Sequence, residues 1–114
     1  MSSYHRKIPL KEDCPMEVTL NVLSGKWKPA IISSLFRGTK RPRDFSVELP
    51  EATRRVLSQQ LRELEEDGII AKKVFEVVPP KVEYFLTDLG RTLAPVISAL
   101  SSWGEAYDKS RQAS

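Results

Sequence analysis

The residues with the most chemistry to offer lie between positions 53 and 62, in the run Thr53-Arg54-Arg55-Val56-Leu57-Ser58-Gln59-Gln60-Leu61-Arg62. Arginine bonds guanine bidentately, glutamine bonds adenine in the same way, and serine serves bases or phosphates. Leu57, Leu61 and Leu64 recur at helical spacing as an inner stripe. A 100° wheel then turns Arg55, Ser58, Gln59, Arg62 and Glu66 outward. Donors crowd the first half of this segment, while Glu63, Glu65, Glu66 and Asp67 crowd the second. That order opposes the helix dipole, which favours acids early and bases late. Helix stability does not account for it, whereas a polyanionic partner facing the first half would.

Other chemistry is sparse. Lys81 follows Pro79-Pro80 and is expected as a stiffly held cation in the loop of a hairpin, suited to a phosphate or minor-groove contact. One cysteine, Cys14, rules out an intrachain disulfide and fits a reducing cytosol. A single His5 near the N-terminus makes no convincing Cys-His pair, and no Gly-rich phosphate loop, metal-ligand spacing or catalytic carboxylate pair is present. The sequence therefore predicts no enzyme, no metal and no cofactor. Net charge is only +3 over 114 residues. From Arg37 to Arg62, however, seven Lys or Arg, Arg43 among them, face three acids, and this one stretch exceeds the whole net charge. A local basic patch is the electrostatic footprint of a phosphate-binding face.

The elements needed to position these groups follow from pattern. Pro15 suits a first helical position with Cys14 as N-cap and Gly25 as the stop. A second helix is expected from Trp27 to Arg37, and a short third near Arg43–Val47 with Phe45 inward. Thr53 caps a fourth helix ended by Gly68. The period then changes to β-type over Ile69–Val78 and Val82–Leu86, separated by the prolines. Thr87 or Asp88 opens a final helix, bent at Pro95. The fold class expected is mainly α with a two-stranded β wing: a winged helix-turn-helix plus a C-terminal dimerisation helix. Residues 14–108 would form the domain, 1–13 an arm and 109–114 a frayed end. The polar N-terminus carries no secretory signal and no run of about 20 apolar residues occurs, so a cytoplasmic protein without membrane contact is expected.

Four motifs, in order, closely resemble the HxlR-type regulators of the MarR-like winged-helix group. They are Cys14-Pro15, Gly25-Lys26-Trp27-Lys28, the run Leu57 to Gly68, and Val78-Pro79-Pro80-Lys81-Val82-Glu83-Tyr84 followed by Leu86-Thr87. The resemblance spans about Cys14 to Tyr107. It implies a prokaryotic homodimer on operator DNA, with the fourth helix in the major groove and the hairpin as wing. In such regulators a cysteine at the position of Cys14 serves some members as a sensor of oxidants or electrophiles. Phe85 in the wing and the basic pair Arg54-Arg55 depart from the family pattern.

The expected DNA-binding residues are thus Arg43, Thr53, Arg54, Arg55, Ser58, Gln59, Arg62 and Lys81. Leu89, Leu93, Val96, Leu100, Trp103 and Tyr107 alternate by four and three, a heptad-like stripe expected at a subunit interface with the first helix beside it. Cys14 has two readings, a redox sensor or an inert capping thiol. The competing function is a winged-helix protein-interaction module without DNA binding, which salt-dependent DNA binding would exclude.

Overall fold

A computed structural model describes residues 14–113, so the arm expected over 1–13, with His5, and the last residue lie outside the described part. Its elements are α1 (Pro15–Val22), α2 (Lys28–Phe36), α3 (Pro42–Glu48), α4 (Arg54–Glu66), β1 (Ile70–Phe75), β2 (Lys81–Leu86), α5 (Asp88–Arg91) and α6 (Ala94–Ala113). This is a winged helix-turn-helix with a long C-terminal helix.

The core gathers from every layer of the domain. Ile31, Ile32 and Leu35 of α2, Phe45 of α3, and Leu57, Leu61 and Leu64 of α4 meet Ile69, Ile70 and Leu86 at the base of the hairpin. Fully burying such side chains contributes about 1.5–3 kcal/mol each. Thr53 caps α4, its Oγ1 accepting the Val56 N–H at 3.1 Å. At the other end Gly68 takes φ +76°, the Ile69 N–H reaches the Leu64 carbonyl and the Gly68 N–H reaches that of Glu65, each at 3.0 Å. This Schellman arrangement satisfies the orphan carbonyls of α4 and turns the chain directly into β1.

The hairpin is antiparallel, pairing Ile70 with Leu86 through to Phe75 with Lys81. Alternation puts Ile70 and Leu86 in the core and leaves Lys73, Phe75, Lys81 and Glu83 together on the other face. A third edge is supplied by one residue: Lys40 exchanges backbone hydrogen bonds with Tyr84 at 3.1 and 2.7 Å, tying the α2–α3 link to the wing. Phe45 meets the Tyr84 ring edge-on, centroids 6.4 Å apart.

Several boundaries differ from the pattern. β1 stops at Phe75, and Lys81 opens β2 opposite it, so the loop itself is 76–80. α1 ends at Val22 rather than at Gly25, whose role proves different. The last helix is broken, not bent. Thr92 and Leu93 form a tight turn with N–H groups bonded three residues back, to Leu89 and Gly90. Pro95 then falls in the first turn of α6, where its missing N–H leaves no helical bond unmade. α6 continues through residues 109–113, expected as a frayed end.

Candidate nucleic-acid interface

α4 is docked by its leucines, and its opposite side is open. Arg54, Arg55, Ser58, Gln59 and Arg62 are all exposed, as are Thr53 at the cap and Arg43 on α3. Among the described residues no ion pair engages Arg41, Arg43, Arg54, Arg55 or Arg62. α3 is held at its start by the Arg41 N–H, which donates to the Asp44 carboxylate at 2.8 Å. That contact uses the Arg41 backbone.

The wing folds toward this face. Arg41, Pro42, Arg43 and Arg54 form one wall of a groove of about 530 Å³, and Val77 to Val82 form the other. Three guanidinium-bearing residues and Lys81 therefore line one channel. Arg41 was not expected in the site; the basic stretch contained it, but only the folded position of the wing brings it there. Lys81 is more constrained than a loop lysine. Its ammonium lies 4.7 Å from the Phe75 ring centroid and 3.3 Å from Glu83 Oε2. Lys73 approaches the same ring at 5.0 Å, so Phe75 holds two cations by its quadrupole. At the loop's end Val78 is fully exposed, so apolar side chains, not a cation, form the outermost point of the wing.

Several other charges have partners inside the fold. Glu48 accepts from Ser34 Oγ at 2.6 Å and from Arg37 at 2.8 Å, with Lys40 at 3.9 Å. The Ser34 hydroxyl, then Arg37, hold its carboxyl below the usual glutamate range. Arg37 and Lys40 are thereby drawn off from the basic stretch. The acids of α4 do more than avoid phosphates. Glu63 is buried against Lys28 at 3.1 Å, and Glu65 lies 3.7 Å from Lys72. Asp67 is half-buried, and that burial raises its carboxyl above the aspartate range against the opposing pull of Lys28. Glu63 and Glu65 thus have internal partners that the charge pattern alone did not suggest. A signal for the first existed: Lys28 stands on the stripe Lys28, Ile31, Ile32, Leu35, and Gln60, Glu63, Asp67 share one flank of α4.

Away from this face, the two outer helices expose apolar surface. α6 has no fully buried residue and leans on α2. Leu93 and Val96 are half-buried against the core of their own domain. Leu89, Leu100, Trp103 (68% exposed) and Tyr107 remain open, and the Trp103 and Tyr107 rings stack at 5.0 Å. A shallow apolar depression of about 480 Å³ runs along Pro95, Val96, Ala99, Leu100 and Trp103. On α1, Met16 and Leu20 are exposed beside Cys14, which is half-buried at the N-cap and makes no capping bond. None of the helices formed by the described residues is long and apolar enough to cross a membrane.

Comparison with known proteins agrees with this architecture. The family model for HxlR-like helix-turn-helix proteins matches residues 22–112. The uncharacterized HTH-type transcriptional regulator YdeP of Bacillus subtilis (strain 168) is 51% identical over 96 residues, 84% of this chain and 75% of that protein. The redox regulator HypR in its reduced form superposes with TM-score 0.83 at 44% identity, covering 89% of this chain and all of that one. Its oxidized form gives 0.78 at 48% identity over 82% and 96%. A MarR-family regulator from Enterococcus faecalis V583 gives TM-score 0.76 at 34% identity, covering 96% of this chain and 100% of that one.

Proposed function

The chain belongs to the HxlR-like helix-turn-helix family, and from that premise we propose that this transcriptional regulator acts as a homodimer on an inverted-repeat operator. α4 enters the major groove, with Arg55, Ser58, Gln59 and Arg62 facing the bases. Arg43, Arg54, Thr53 and Lys81 take the flanking phosphates. The observation that carries this reading is the set of exposed arginines on α3 and α4 with no ion-pair partner among the described residues.

The dimer seam runs from Leu89 of α5 along α6 through Leu100, Trp103 and Tyr107, with Leu93 and Val96 backing it from the core side. Exposed Met16 and Leu20 of α1 extend the apolar surface available to a second copy. Two-fold symmetry would set the two α4 helices about one DNA turn apart. Light scattering of the wild type and Trp103→Glu tests the seam: a dimer is expected for the first and a monomer for the second. A wild-type monomer at micromolar concentration would sink it.

DNA binding is tested by anisotropy of a duplex selected from genomic fragments against a scrambled duplex, over a salt series. Binding to both should weaken steeply with salt. Lys81→Ala should weaken both and flatten the slope by about one. Absence of salt-dependent binding would favour the protein-interaction module instead.

A thiol response through Cys14 is a second component of the proposal, supported by the similarity to the redox regulator HypR. Cys14 caps the helix carrying Met16 and Leu20, so its oxidation would act next to the proposed seam. Diamide should change operator affinity in the wild type and leave Cys14→Ser unaffected. An unchanged response in Cys14→Ser would remove the thiol from the account.

A further inference from the structure

The inner side of α4 carries more than leucines. Lys28 is completely buried, and its ammonium sits 3.1 Å from the buried Glu63 carboxylate. One turn earlier on α4, Gln60 Oε1 accepts the Trp27 N–H at 3.0 Å, at the first residue before α2. Gly25 closes this contact from the other side. A Cβ there would lie 3.0 Å from Gln60 Cδ and 3.1 Å from Lys28 Cδ, so it would push both side chains by a few tenths of an ångström. Asp67, one further turn along the same flank, feels the Lys28 charge.

Resting on the DNA-binding reading above, we propose that Lys28, Glu63 and Gln60 are positioning residues that set sequence discrimination by locking the rotation and register of α4. Leucine contacts are non-directional and tolerate sliding. An ion pair and a hydrogen bond do not. A one-residue slip, about 100° and about 1.5 Å, would already turn the leucine stripe out of the core. The polar contacts add a directional constraint on the smaller rotations and shifts that leucine packing permits. Arg55, Ser58, Gln59 and Arg62 ride on the same rigid helix, so the inner lock sets where they point. A buried ion pair seldom adds stability over a well-packed apolar pair of the same volume, and fixing register is its best-attested use. The turn between α1 and α2 thus acts on DNA recognition without touching DNA.

The test replaces both charges together, Lys28→Met with Glu63→Leu, and compares anisotropy of the selected and scrambled duplexes with the wild type. The expected result is an unchanged or raised Tm and scrambled-duplex affinity within about twofold. The ratio of selected to scrambled affinity falls about tenfold or more, on the scale of one lost base contact. Gln60→Met, which removes only the Trp27 acceptor, should lower the ratio in the same direction, and it decides the matter if the double variant does not fold. Folded variants with wild-type discrimination overturn the proposal. A second readout needs no DNA: the Leu61 and Leu64 methyl resonances of the double variant should broaden or double. One sharp, wild-type set of resonances contradicts the lock even if the wild type proves to bind no duplex, an outcome that would remove the DNA reading separately.

Discussion

The two halves of α4 handle charge in opposite ways. In the first half Arg54, Arg55 and, just beyond, Arg62 stand in solvent with no ion pair among the described residues. In the second half Glu63 is buried on Lys28, Glu65 pairs with Lys72, and Asp67 is drawn under the Lys28 charge. Both halves violate the order that the helix dipole prefers. Glu63 and Glu65 are placed by partners within the fold. The arginines meet no such partner among the described residues, and the proposed DNA contact would supply one.

Glu63→Ala should separate the two halves most sharply. It removes the carboxylate 3.1 Å from a buried ammonium, and breaking such a pair typically destabilises by about 3–5 kcal/mol, which urea unfolding should show. A loss under about 1 kcal/mol would mean that the acidic half is not structural in the sense argued. Arg55→Ala should do the reverse. Stability should stay within about 0.5 kcal/mol, while the selected duplex loses about 1–3 kcal/mol of binding and the scrambled duplex loses little.

Asp67→Asn sharpens the comparison through pH. Burial raises the Asp67 carboxyl in the folded state, so the folded protein holds that proton more tightly than the unfolded chain. The favourable contribution is complete below the ordinary aspartate range, about 3.9, and is lost as pH rises through the folded value. The variant should therefore melt higher than the wild type at pH 7, and the gain should vanish near pH 3. A gain equal at both pH values would place the cause outside ionisation. Smallest of all, Lys72→Ala removes an exposed pair and should change Tm by the equivalent of no more than about 1 kcal/mol, with DNA binding little altered.

Much of this architecture was readable from pattern because its causes are local. The Leu57, Leu61, Leu64 spacing, the Thr53 cap and the Gly68 stop define α4 without reference to the rest of the chain. Exposure of Arg55, Ser58, Gln59 and Arg62 follows from the same wheel. What pattern missed is set by long-range contact. A lysine on an apolar stripe passes for a surface residue until Glu63 is seen to face it. The Lys40–Tyr84 bridge is a single residue pair and leaves no periodicity. Lys81 looks like a loop cation until the strand register sets it opposite Phe75 and its ammonium meets Glu83. In the last helix, the four-three alternation ran through a break. Leu93 and Val96 face their own core while Leu100, Trp103 and Tyr107, farther along the chain, do not.

The central claim is that the unpaired arginine face binds DNA. Its most direct test is the salt dependence of duplex binding by the wild type and by Arg54→Ala/Arg55→Ala, read by anisotropy with Tm measured on the same samples. The account predicts equal Tm values and a wild-type affinity falling steeply with salt. For the variant it predicts affinity for the selected duplex reduced at least about tenfold, with a shallower slope. Wild-type affinity and slope in a folded variant would contradict it.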